Sequence, residues 1–155
     1  MAADGLEPCQ QADRVADLMT PKPITVPPEA PVGQVFELMQ ERRIRHVPVV
    51  DADGALQGIV SQRDLLSHAH AGGHPTRDAW GNATIAEVMN ERVDTVTAEC
   101  CAAEAARHIL RTKRGSLPVV DERGVLIGIV TEADFVRLAV RDQPPCSCVG
   151  VKVGD

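Results

Sequence analysis

The chain contains a copy of itself. Shifted by 70 positions without a gap, Val15–Leu66 matches Ile85–Val136 at 15 of 52 positions. Met19 falls on Met89, Thr25-Val26 on Thr95-Val96, Glu29 on Glu99, and PVVD (Pro48–Asp51) on PVVD (Pro118–Asp121). GIVSQRD (Gly58–Asp64) falls on GIVTEAD (Gly128–Asp134). Chance gives far fewer matches, so the chain is a duplicated unit, and whatever one half folds into, the other must fold into as well.

Each unit parses the same way. A short apolar segment ending in Met leads, RVADLM and then TIAEVM, and Thr84 with Glu87 has capping-box spacing, which predicts a helical turn. An extended piece follows, PITV and DTVT, with Pro21, Pro23, Pro27 and Pro28 keeping the first out of a helix. Val32, Val35, Phe36 and Met39 then make the apolar stripe of a helix. Its counterpart is Ala102, Ala105, Ala106 and Ile109, smaller side chains that allow a closer approach. Two β-rich runs, HVPVVD and LQGIVS, flank an Asp-Gly turn, and further helices start at Ser61 and Thr131. Each half therefore reads strand–helix–strand–strand–helix, an α+β unit too small to bury much core alone. Two units packed sheet to sheet with pseudo-two-fold symmetry would share one core. The expected boundaries are 13–70 and 83–140, with a linker at 71–82 that carries Trp80 and a loose tail at 141–155.

Composition excludes several classes. A net charge of −6 argues against a broad nucleic-acid surface, and Arg42, Arg43 and Arg45 suit a helix end meeting solvent. No apolar run nears the roughly 18 residues that span a bilayer, and no secretory signal is evident. Five cysteines, Cys9, Cys100, Cys101, Cys146 and Cys148, form no disulfide framework, so a reduced, cytoplasmic setting is expected.

The stretches DLMTPKPITV, IRHVPVVDADGALQGIVSQRD and GSLPVVDERGVLIGIVTEAD resemble the cystathionine β-synthase (CBS) domain, and the duplication resembles the tandem pair called a Bateman module. The likeness covers about residues 13–140. It implies two pseudo-symmetric clefts that bind adenosine-containing ligands such as AMP, ADP, ATP, S-adenosylmethionine or NAD. It also implies a flat dimer of two modules.

Within that frame the repeated heptapeptide admits two roles. Gly58 lets backbone or ligand approach closely. Ser61 and Thr131 occupy N-cap positions, and Asp64 and Asp134 lie in the first turn, as a plain capping box would have them. The same carboxylates suit the 2′- and 3′-hydroxyls of a ribose, beside a helix N-terminus that attracts phosphate. A carboxylate there repels a 2′-phosphate, which disfavours NADP.

The clefts differ. Arg45 and His46 precede the first VPVVD, where the resemblance implies phosphate contact, although Arg45 also reads as a solvated strand-edge charge. Gly115 and Ser116 take their places in the second unit, with Lys113 and Arg114 falling too early. The Asp64 cleft is thus expected to be the phosphate site, and the Asp134 cleft to hold a neutral or cationic adenosyl ligand or nothing. Thr25 and Thr95, with the valines that follow them, are expected at the adenine face or as plain strand residues. Val47, Pro48, Leu117 and Pro118 are expected against base and sugar or in the core.

Other constellations carry less. His68, His70 and His74 lack supporting ligands, and the Cys146–Cys148 pair lacks the two further ligands a zinc site needs, so no metal is expected. Cys100 and Cys101 open a helix, where a thiolate is favoured, but they stand where the first unit has Ala30 and Pro31, which suits small-residue packing. No catalytic arrangement clusters. The expected function is a stand-alone regulatory module that senses an adenine nucleotide and signals in trans to an effector protein. The competing reading is a structural module with empty clefts.

Overall fold

The computed structural model describes residues 13–69 and 77–144. The first repeat runs α1 (Val15–Leu18), β1 (Thr20–Pro21), α2 (Val32–Arg42), β2 (His46–Val50), β3 (Leu56–Ser61) and α3 (Gln62–Ser67). A 3-10 turn, Arg77–Trp80, leads to the second: α4 (Ile85–Val88), α5 (Ala102–Thr112), β4 (Ser116–Val120), β5 (Leu126–Thr131) and α6 (Glu132–Val140). The α+β class and the doubled unit follow the expectation.

The hairpins form for local reasons that the duplication repeats. Asp51 Oδ1 accepts the amides of Asp53 and Ala55, and Asp121 Oδ1 accepts those of Arg123 and Val125. Gly54 and Gly124 supply the positive φ, +82° and +79°, that closes each turn. β2 pairs antiparallel with β3, and β4 with β5, each with one irregularity at the same place, Val49/Val50 and Val119/Val120. Strand alternation then sorts the side chains. Val47, Val49 and Val60 face α2, where Val32, Val35, Phe36 and Met39 are each at most 4% exposed. Leu117, Val119 and Val130 do the same against α5.

The leading segments are exchanged. β1 pairs with β5 of the second repeat, and Asn90, just past α4, bridges Ile59 of β3 in the first. Val15 belongs to the second core and Ile85 to the first. Each exchanged segment ends on a methionine that lies over a glycine of the other repeat. A Cβ on Gly58 would stand 2.9 Å from Met89 Sδ and from Asn90 O; one on Gly128 would stand 2.6 Å from Met19 Sδ. Between the two approaches that Gly58 permits, the structure shows backbone and methionine. Cross-repeat bonds from Leu56 N to Gly124 O and from Leu126 N to Gly54 O tie the hairpin tips together on the pseudo-two-fold axis.

Two features differ from the sequence expectation. The apolar side chains form two clusters, one per sheet, rather than one shared core, because the helices cover the outer sheet faces and each cluster is completed by the other repeat's leading turn. Trp80, assigned to the linker, is 2% exposed; its Nε1–H donates to Leu65 O at 2.7 Å, and its ring lies 4.8 Å from that of Phe36. A residue burying so much apolar surface overrides the Gly-rich context in which it sits. No helix among the described residues is long and apolar enough to cross a membrane.

Candidate functional site

The inner faces of the two hairpins meet over a cavity of about 530 Å³. The side chains that alternate away from the cores line it: His46, Ile59 and Ser61 from β2 and β3, and Ser116 from β4. Arg45 and Arg63 join them from the first repeat, and Lys113 and Arg114 from the second. Asp64 and Glu132 are the carboxylates on its wall. Four permanent cations thus face two anions, a locally positive hollow in a chain whose net charge is −6.

Asp64 is held by its own helix. Its Oδ2 accepts Ser61 N and Ser61 Oγ, both at 2.8 Å, while Ser61 Oγ accepts Asp64 N at 3.1 Å. Oδ1 has no partner among the described residues. The capping box is therefore real, and it leaves one carboxylate oxygen for a donor in the cavity. Asp134 repeats the cap, with Oδ2 accepting Thr131 N at 2.7 Å and Oγ1 at 3.2 Å. Its Oδ1 instead accepts Arg137 Nη1 at 2.8 Å, and the residue is only 9% exposed and does not line the cavity.

His46 bridges the repeats. A Cβ on Gly115 would stand 2.7 Å from His46 Nε2, so the imidazole occupies the space that a side chain at the second-repeat counterpart of Arg45 would need. Burial, with the neighbouring Arg45 charge adding to it, lowers the His46 pKa; Glu132 and Asp64 pull the other way. An anion placed in the cavity would favour its protonated form.

Of the residues expected at the site, Arg45, His46, Ser61 and Asp64 come together in this cavity. Thr25 and Thr95 do not. Val26 N bonds to Pro48 O and Val50 N to Val26 O, which lays that segment along the outer edge of β2; Thr25 lines a separate hollow of about 320 Å³, with Asp51 and Ala52. Val47 and Leu117 point into the helix-side cores, whereas Pro48 and Pro118 are buried on the inner faces, paired with Ile59 and Ile129. Thr131 is half-buried at its cap beside Asp134, away from the lining. The sequence reading missed Lys113, Arg114, Arg63 and Glu132. The available signal was Gly115, whose absent side chain admits the His46 ring beside the Lys-Arg pair.

Cys101 is disulfide-bonded, which departs from the reduced state expected of the cysteines, whereas Cys100 is a free thiol. Burial, and Glu104 after it, raises the Cys100 thiol pKa, opposite to the fall expected at a helix start. His68 caps the end of α3, with Nδ1 2.9 Å from Asp64 O. His70, His74, Cys9, Cys146 and Cys148 lie outside the described residues.

A family model described as the CBS domain matches residues 15–71 and again residues 85–141. Inosine-5′-monophosphate dehydrogenase of Mycobacterium tuberculosis is 37% identical over 142 residues, covering 88% of this chain and 25% of the dehydrogenase. The chloroplastic CBS domain-containing protein CBSX2 of Arabidopsis thaliana is 30% identical over 151 residues, covering 82% of this chain and 63% of that protein. The chain thus spans a quarter of the first relative's length and somewhat less than two thirds of the second's. The crystal structure of CBSX2 in complex with AMP superposes with a TM-score of 0.73 at 31% identity, covering 84% of this chain and 98% of that one. The CBS domain pair of protein MJ0100, in complex with 5′-methylthioadenosine and S-adenosyl-L-methionine, gives 0.74 at 26% identity, covering 85% and 99%.

Proposed function

The chain belongs to the CBS domain family, with two copies of the domain in one polypeptide, and from that premise we propose that it is a regulatory module whose inter-repeat cleft binds an adenosine-containing ligand. The observation that carries this reading is Asp64: a carboxylate with one oxygen committed to its cap and the other unengaged, on the wall of a cationic cavity. The cavity volume lies within the roughly 300–1,000 Å³ usual for small-molecule sites. In this reading Asp64 Oδ1 accepts the ribose hydroxyls, Arg45 holds phosphate through its planar donor fork, and His46 takes up a proton as the phosphate arrives. Related pairs that bind AMP and S-adenosylmethionine support the ligand class.

The module is read as non-catalytic and cytoplasmic. It acts as a homodimer, and its halves, divided as 13–70 and 83–140, work as one unit. Because each repeat carries the other's leading turn, a ligand bridging the cleft changes their packing in concert. A partner in trans reads that change, to the extent that the ligand binds the two packings with different affinity.

Titration calorimetry and thermal shift with AMP, ATP, NAD and S-adenosylmethionine test the reading. A ligand at a hundred times its dissociation constant adds about 2.7 kcal/mol of stability. If none of these compounds moves the melting point, the chain is a scaffold. The buried, Arg137-paired Asp134 favours that alternative for the second half-site alone, which we read as empty.

A further inference from the structure

The cavity is not evenly furnished. Asp64 and Arg45 come from the first repeat, Lys113 and Arg114 from the second. Arg114 belongs to an ionic network that has no counterpart in the first repeat. Asp94 Oδ2 accepts from His108 Nε2 at 3.0 Å and lies 3.8 Å from Arg114 Nε, while Arg111 Nη2 meets His108 Nδ1 at 3.2 Å. Seventy residues earlier, the positions of Asp94, His108 and Arg114 hold Ile24, Leu38 and Ile44. Leu38 and Ile44 pack against the first core. Three positions that are hydrocarbon in one repeat have thus become, together, an ionic anchor for a cation on the cavity wall. Lys113, next to it, ends α5 with a left-handed backbone, φ 56°, and the chain turns there into the wall.

We propose that Lys113 and Arg114 form a second anion subsite, so that the cleft prefers adenosine polyphosphates to AMP. The inference rests on the adenosine reading of the cleft and names its ligand. The ribose lies on Asp64, the first phosphate on Arg45, and the outer phosphates cross to the second repeat. Each further phosphate brings charge into a hollow already rich in cations, where charge-assisted hydrogen bonds are strongest. A sulfonium ligand brings charge of the wrong sign. Asp94 and His108 are positioning residues that act through Arg114.

Calorimetry on the full chain with AMP, ADP, ATP and S-adenosylmethionine tests this. ATP is expected to bind about tenfold or more tightly than AMP, and the sulfonium compound most weakly. Arg114→Ala and Lys113→Ala bring ATP affinity down towards that of AMP and leave AMP within about twofold. Asp94→Ala lowers the ATP-to-AMP ratio by less; a purely structural role would lower the melting point of the free chain without touching the ratio. Equal affinities in the unaltered chain, or an Arg114→Ala loss that is the same for AMP as for ATP, overturns the subsite. Inorganic tripolyphosphate separates this proposal from the reading beneath it. It should stabilise the chain and the Asp64→Ala variant but not Arg114→Ala. If it does not, there is no such subsite, whatever the adenosine compounds do; if it does and no adenosine compound binds, only the nucleoside reading falls.

Discussion

The two repeats share a backbone plan and differ in what they do with it. The first fills its core with Phe36, Met39 and Trp80; the second has Ala105 and Ile109 where the first has Val35 and Met39, and Ala106, at the place of Phe36, is only half-buried. The first leaves Asp64 on the cavity wall with an oxygen to offer, while in the second Asp134 is 9% exposed and gives that oxygen to Arg137. The first presents Arg45; the second presents Gly115 and lets His46 cross into the vacant space. Duplication supplied two equivalent caps, and the surroundings of each decide whether it is a site or a staple.

The largest effect should come from the core. Trp80→Ala removes the ring that seals the first cluster and leaves Leu65 O with the His68 amide alone as donor, a loss of about 3–5 kcal/mol in denaturant unfolding. An effect below about 1 kcal/mol would mean that the first repeat does not lean on this residue. Next is the contact that crosses the repeats. Gly115→Ala forces the His46 ring to turn into the cavity and costs about 1 kcal/mol; in the double variant with His46→Ala that cost should largely vanish. A purely additive cycle would show that the two residues do not share the space.

The paired caps come third. Asp64→Ala and Asp134→Ala each remove a capping carboxylate and lower stability by about 1 kcal/mol, with Asp134→Ala the costlier because that carboxylate is the more buried and also accepts from the exposed Arg137. Only Asp64→Ala should abolish stabilisation by an adenosine ligand. Equal loss of ligand in both variants would erase the distinction between the half-sites. The smallest effect is that of pH. Burial holds the folded His46 pKa below its usual value, so the unfolded chain binds the proton more readily. The contribution is whole above about pH 6.5, the unfolded value, and is lost as pH falls from there through the folded pKa. His46→Gln should flatten that limb of the stability profile; an unchanged profile would show that His46 is not its source.

Much of this was legible along the chain. The caps at Ser61, Thr84 and Thr131, the Asp53-Gly54 turn and the apolar stripe of α2 each depend on residues within a few positions of one another, and each forms where its pattern stands. Trp80 was not legible, because one aromatic residue in a Gly- and His-rich stretch has no periodic neighbours to reveal a buried face. The Lys113–Arg114 wall was not legible either. Its relation to Arg45 runs across the pseudo-two-fold axis, and register counted along one repeat does not measure that distance. For Val47 and Leu117 the sequence leaves ligand wall and core both open; strand alternation, once His46 and Ser116 face the cavity, puts them in the core.

The sequence by itself determined that there are two units, what elements each contains and where each helix begins, since these are settled by short-range hydrogen bonding and hydrophobic period. Tertiary structure decided which repeat each leading turn packs on, since two near-identical docking sites are degenerate along the chain and only the exchanged packing of Met19 on Gly128 and Met89 on Gly58 is seen. It also decided which carboxylate remains open, because Asp64 and Asp134 carry the same cap and differ only in the cavity wall and the arginine that folding brings beside them.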